Sequence, residues 1–310
     1  MFKNFAAVII AVLLIFASSA SAQSPAVQDA LQGVKGQVQS LVTAKDEGKT
    51  DDLSLRIETF KKVLEFSVSE AKDLKVKLLA LDKLPEETAL WRDGVVKTIN
   101  TALDYYESQA VLFEDENEIS LEEIKKIASD FKSWREKNYL AAVGEADSYL
   151  LISQEQKALE TAEKRWQRIQ KDVLSLQKAR IKNASKLKEM LEEAGKKISE
   201  AKNKNSEASG IFWNAYVMPY AMQIASNQTS TTSSVPIATA TTSESATAST
   251  ELIAATSDTT SSTSTAANAS SSQVIPTPSI KDLVESSLND IKGAYQIFIE
   301  MGNLVRKLLD

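Results

Sequence analysis

Any chemistry in this 310-residue chain must be done without histidine or cysteine, because the sequence has neither. That removes Ser-His-Asp and Cys-His nucleophiles, a His-x-x-His zinc helix, a thiolate site, a histidine pH switch and any disulfide. Carboxylate-only catalysis stays open in principle, since paired acids can divide acid and base roles between them. Two spacings come near a binding motif. Gly48-Lys49-Thr50 matches the tail of a phosphate-binding loop, but Thr43 stands where the first glycine belongs and no strand precedes it. It reads as a turn between helices. Asp115-Glu116-Asn117 matches the start of a calcium loop, but Ile119, Ser120 and Lys126 replace an oxygen ligand, the glycine and the bidentate glutamate. It reads as a solvated acidic stretch ahead of a helix. Nothing here points to a catalytic centre, a cofactor, a metal or a small-molecule substrate.

The stretch most open to a functional reading is 210–225, sixteen residues without a charge. It carries Ile211, Phe212, Trp213, Tyr216, Val217, Met218 and Tyr220, and these seven are the candidate contact residues. Amphipathic aromatics of this kind suit a membrane interface or a protein partner, while Asn214, Pro219 and Gln223 make the stretch a poor membrane span. The competing structural role is a plug over the end of a helical core. Trp91, Trp134 and Trp166 lie on or beside apolar stripes and are expected in the core.

These residues need long helices to position them. Glycine and proline are scarce, at 9 and 6 residues, and no alternating strand pattern of any length occurs. Ser24-Pro25 predicts a helix start, with Val27, Leu31, Val34, Val38 and Leu41 on one face. Leu53, Ile57, Phe60, Leu64, Ser67, Ala71, Leu74, Leu78 and Leu81 then step by four and three without a slip, which predicts a bundle seam. After Leu84-Pro85 a third face runs through Val96, Ile99, Leu103, Tyr106, Ala110 and Phe113. Ser120-Leu-Glu-Glu123 spells a capping box. Behind it the apolar period continues past Gly144 and through a stutter at Arg180, and favours one long helix over 121–205; the alternative is two helices, the second capped at Ser153-Gln-Glu-Gln156. The last stripe, Val284, Leu288, Ile291, Tyr295, Phe298, Val305 and Leu309, is too apolar to stand in water alone.

Residues 226–278 differ from all of this. More than half of that stretch is serine and threonine, with three acids, no base and no aromatic ring. Such a composition buries too little apolar area to offset its ordering entropy, so a disordered Ser/Thr/Ala-rich tether is expected. Asn183, Asn227 and Asn268 head glycosylation sequons. At the other end, Lys3, the apolar run Phe5–Phe16 and the small residues to Ala22 read as a secretory signal cleaved between Ala22 and Gln23.

The whole chain carries a net charge of −6, which argues against a nucleic-acid partner. Its bases concentrate in 155–207, 14 against 9 acids, with Glu–Lys spacings such as Glu160–Lys164, Glu192–Lys196, Glu193–Lys197 and Glu200–Lys204 that suit pairing within a helix. The sequence therefore predicts an all-α protein in four parts. These are a signal peptide (1–22), an antiparallel bundle of long helices with coiled-coil-like seams (23–225), the tether (226–278) and a C-terminal amphipathic helix (279–310). The expected function is an exported, non-enzymatic structural or interaction protein, extracellular, on the cell surface or periplasmic, that packs helix faces against a protein partner or a second copy. A secreted membrane-active protein of pore-forming type and a ligand-sensing bundle are the alternatives.

Overall fold

The computed structural model describes residues 24–46, 53–113, 119–180, 184–229 and 279–309. The helices are α1 (Pro25–Asp46), α2 (Leu53–Leu79), α3 (Glu86–Val111), α4 (Leu121–Asn138), α5 (Leu140–Lys178) and α6 (Ala184–Phe212). A π-helical turn (Trp213–Val217), α7 (Met218–Thr229) and α8 (Ile280–Leu309) follow. No strand occurs among the described residues, so the fold is all-α, as the periodicity predicts. The chain divides into two compact units, Met1–Ile224 with Pro278–Asp310, and Ala225–Thr277. Of the second, only the end of α7 lies among the described residues. Gly48-Lys49-Thr50, Asp115-Glu116-Asn117, the Ala22–Gln23 junction, Asn183 and most of the Ser/Thr/Ala-rich tract fall outside them. α7 itself runs to Thr229, past the boundary expected at 226.

The seam of α2 is the most literal translation of sequence into structure. Ile57, Phe60, Leu64, Ser67, Ala71, Leu74 and Leu78 are all buried. α1 lies along α2 through Val27, Val34 and Leu41. On α3 the buried line runs through Trp91, Val95, Ile99, Ala102 and Tyr106, and Ala110, expected on that face, is exposed. The capping box forms as predicted: Glu123 N donates to Ser120 Oγ at 3.3 Å, and Ser120 N donates to Glu123 Oε2 at 2.7 Å. These bonds satisfy amide groups that the first helical turn leaves without a partner.

The single helix expected over 121–205 does not form; the segment is three helices. The first break is at Tyr139, whose φ of −125° leaves the helical region. Just before it Asn138 Nδ2 donates to Trp134 O at 2.9 Å, a side chain competing for a helix carbonyl. The second break is a reversal. Ala179 and Arg180 close α5, with Arg180 in the left-handed region at φ 53°. α6 then returns along α5 as an antiparallel hairpin. Trp166 Nε1 donates to Leu191 O at 2.9 Å, and its ring lies on Gly195, where a Cβ would stand 3.0 Å from Nε1. Lys202 pairs with Glu163 at 2.7 Å across the two helices. The stutter in the apolar period is thus the place where the chain turns round.

α8 packs on this hairpin, which answers what its apolar stripe covers. Ile291, Ala294, Ile297, Phe298 and Met301 join Leu159, Ala162, Leu191, Ala194, Ile198 and Ala201 in one apolar cluster. Each large side chain buried there contributes about 1.5–3 kcal/mol of gross hydrophobic stabilisation. The stripe is shifted from the predicted one: Ser287 is buried and Leu288 is 41% exposed. Ser279 caps α8, its Oγ accepting from Asp282 N at 3.1 Å and donating to Asp282 Oδ2 at 2.7 Å. Lys204 of α6, expected to pair with Glu200, bonds Asp290 of α8 instead.

Candidate functional site

The uncharged stretch starts as the last turn of α6. The α6 seam is Ile198, Ala201, Asn205, Ala208 and Phe212, all buried. After Phe212 the π-helical turn inserts a residue, so Met218 N reaches back to Trp213 O. The extra residue brings Val217, five positions on, to the same inward side as Phe212. Phe212 sits among aromatic rings: Trp91 at 5.0 Å in an edge-on arrangement, Tyr149 at 5.1 Å and Tyr216 at 5.1 Å. Trp91 Nε1 donates to Glu145 Oε2 at 3.0 Å, so the buried indole is satisfied. Tyr220 then lies over Gly94 of α3, so closely that a Cβ there would stand 2.0 Å from Tyr220 Oη. Only glycine leaves room for that ring.

The seven candidate residues are therefore split by the helix rather than gathered. Phe212 and Val217 are buried, while Ile211, Tyr216 and Tyr220 are half-buried against the core. Trp213 is 36% exposed and Met218 43%. Met222, which the seven leave out, is 61% exposed and continues the line of Met218. The stretch is both the plug and a free surface, on opposite sides.

Beside it lies an open cleft of about 720 Å³. Its walls are the α2–α3 loop from Leu81 to Pro85, Tyr149 and Gln156 of α5, Asn205 and Ser209 of α6, and Trp213. Asp82, Lys83, Lys157 and Glu160 line it with balanced charge. Lys83 holds a left-handed φ of 55°, strained for a non-glycine residue, and the chain turns there into Pro85 and the start of α3.

At the cleft wall and behind it are polar residues without a counterpart among the candidates read from the sequence. Asn205, 4% exposed, donates from Nδ2 to Glu155 Oε2 at 2.9 Å and to Ile152 O at 3.2 Å. Ser287 of α8 donates to Ala201 O at 2.9 Å. Burial raises the Glu155 carboxyl above its ordinary range, against the pull of bonds with Ser287 and Asn205. A second interior charge sits at the corner of α4 and α5. Arg135 bonds Glu70 at 2.7 Å, with the rings of Tyr139 and Tyr106 at 5.0 and 5.6 Å from its guanidinium carbon. Burial pushes the phenols of Tyr106 and Tyr139 well up. All four interior residues do carry a sequence signal. Each is a polar residue at a seam position: Arg135 between Phe131 and Tyr139, Glu155 between Ile152 and Leu159, Asn205 between Ala201 and Ala208, Ser287 between Val284 and Ile291.

Among the described residues no helix is long and apolar enough to cross a membrane, and no group of three acidic side chains could hold a metal ion. Comparison with protein-family models, with curated proteins and with solved structures yields no match.

Proposed function

We propose that the chain is an exported, non-enzymatic interaction protein of the cell envelope or surface, and that it meets a protein partner through the exposed side of residues 213–222. The observation that carries this reading is the two-sided character of that segment. One side is tied to the core by Phe212, Val217 and Tyr220, and the other offers Trp213, Met218 and Met222 to solvent in ten residues without a charge. Single exposed apolar residues are ordinary; three on one short uncharged segment are not. Indole and thioether groups supply large, adaptable contact area, and the cleft next to Trp213 offers room for a partner side chain. The apolar stripe of α8 is already covered by α5 and α6. Support for export comes from the sequence pattern of residues 1–22, a basic Lys3, an apolar run and small residues up to Ala22.

The test is cell fractionation and sizing of the native chain beside a variant with Trp213, Met218 and Met222 all changed to serine. These side chains are exposed, so folding should survive. The wild type is expected outside the cytoplasm, starting at Gln23, in an assembly larger than a monomer, and the variant as a monomer. A wild type that runs as a free monomer identical to the variant would remove the reading. The indole at the rim also supports contact with a membrane surface. Flotation with liposomes and a lipid-dependent shift in Trp213 emission would favour that reading instead.

A further inference from the structure

The apolar interior of the described residues is two clusters, and a single polar layer separates them. On α5 the first cluster ends at Ile152 and the second begins at Leu159; on α6 the limits are Ala208 and Ala201; on α8 they are Val284 and Ile291. The residue between the limits on each helix is Glu155, Asn205 and Ser287, at 1%, 4% and 0% exposure. Three heptad seams thus break at the same level with a polar side chain.

The layer is incompletely bonded if Glu155 is a carboxylate. Oε2 accepts from Asn205. Oε1 is buried and has no hydrogen-bond partner. The Ser287 hydroxyl lies beside the carboxyl but has spent its proton on Ala201 O. The charged groups on the three helices nearest the layer are Lys157 and Glu160 on α5, Lys202, Lys204 and Glu207 on α6, and Lys281, Glu285 and Asp290 on α8. Lys204 is taken by Asp290, Lys202 by Glu163 and Lys281 by Glu285; Lys157 and Glu160 line the cleft, as do Asp82 and Lys83 of the α2–α3 loop, and Glu207 is exposed. Among the described residues no cation pairs with Glu155. A carboxylate held there by one amide hydrogen bond and no cation is costly to keep charged. A proton on the carboxyl removes that charge, and with it the cost of burying it.

We infer that Glu155 is a proton-operated joint: it binds a proton when α8 is seated on the α5–α6 hairpin, and losing that proton loosens α8. This inference stands apart from the reading of residues 213–222. The direction follows from linkage. Below the ordinary glutamate range both folded and unfolded chains hold the proton, and the joint costs nothing. As pH rises above that range the unfolded chain releases the proton first, and folding weakens about tenfold per pH unit until the folded chain releases it too. The joint is therefore tightest in acid.

The test compares denaturant midpoints of the full chain and of Glu155→Gln from pH 4 to pH 8. Glutamine keeps the acceptor for Asn205 and cannot ionise. The expected result is a difference that is small in acid and grows with pH in favour of the glutamine variant. A difference that stays constant with pH, or wild type the more stable at pH 8, overturns the inference. If the variant does not fold, hydrogen exchange on the wild type decides. After correction for intrinsic rates, protection around Ile152–Leu159 and Val284–Ile291 should fall with pH relative to α2. Equal pH dependence in all three places overturns it.

Discussion

Tyr220 on Gly94 is the closest approach to any glycine among the described residues, and it sets a residue-scale prediction. Alanine normally stabilises a helix interior over glycine by about 1 kcal/mol. At position 94 the sign should reverse, because the added methyl group collides with the phenol, and overpacking costs about 1–3 kcal/mol. Gly94→Ala is expected to lower the thermal midpoint and raise the proteolytic sensitivity of 213–222. In a Tyr220→Ala background the same substitution should become neutral or stabilising. The capping box gives a second prediction, opposite in sign to that of Glu155. Ser120 holds the Glu123 carboxyl below its ordinary range by side-chain and backbone bonds, and Ser279 does the same for Asp282. A lowered carboxyl contributes stability that is present above its unfolded range and lost as pH falls through its folded one. Ser120→Ala should therefore lower the melting temperature at neutral pH, and the deficit should shrink in acid. Legibility at this scale was uneven. The box at Ser120 could be read because its two partners are three residues apart. The pairs Trp91–Glu145 and Arg135–Glu70 could not, because they lie 54 and 65 residues apart and only the packed helices bring them together.

At the scale of elements, the α5–α6 hairpin is the part the apolar period misplaced. The period crosses the reversal with only a stutter, two steps of four through Arg180, because both arms of the hairpin present the same kind of seam. The signal that a turn lay there was weak: no glycine or proline occurs between Lys178 and Ala184, and the left-handed position is filled by Arg180. Arg180→Gly should therefore stabilise the chain by up to about 1 kcal/mol by removing that strain, and Arg180→Val should destabilise it, both read from denaturant midpoints. Topology can be checked on its own, since the chain has no native thiol. Glu163 and Lys202 would stand about 58 Å apart on one straight helix at ~1.5 Å per residue, but they bond at 2.7 Å in the hairpin. Cysteines at 163 and 202 are expected to react with a short bifunctional reagent within one molecule; failure to do so in the folded monomer would restore the single rod.

At the scale of the molecule, the α8 seat explains why this sequence needs its last thirty residues. Without them Ile198, Leu191 and Leu159 would face water, so a chain ending at Thr229 is expected to aggregate or lose helix from the hairpin, as seen by circular dichroism and sizing. The all-α class and most helix limits were legible, because they rest on local period, caps and breakers. The seating of α8 was not, because nothing local tells an apolar stripe which groove it meets. The same gap hid the split of residues 211–222 into a core side and a free side, which depends on the π-helical turn after Phe212. We propose that the free side, and not α8, meets the partner. Photo-crosslinking in intact cells tests it directly, with the reactive residue placed at Met222 in one chain and at Phe298 in another. Intermolecular adducts are expected from position 222 and only intramolecular ones from 298. Intermolecular adducts from 298 with none from 222 would contradict it.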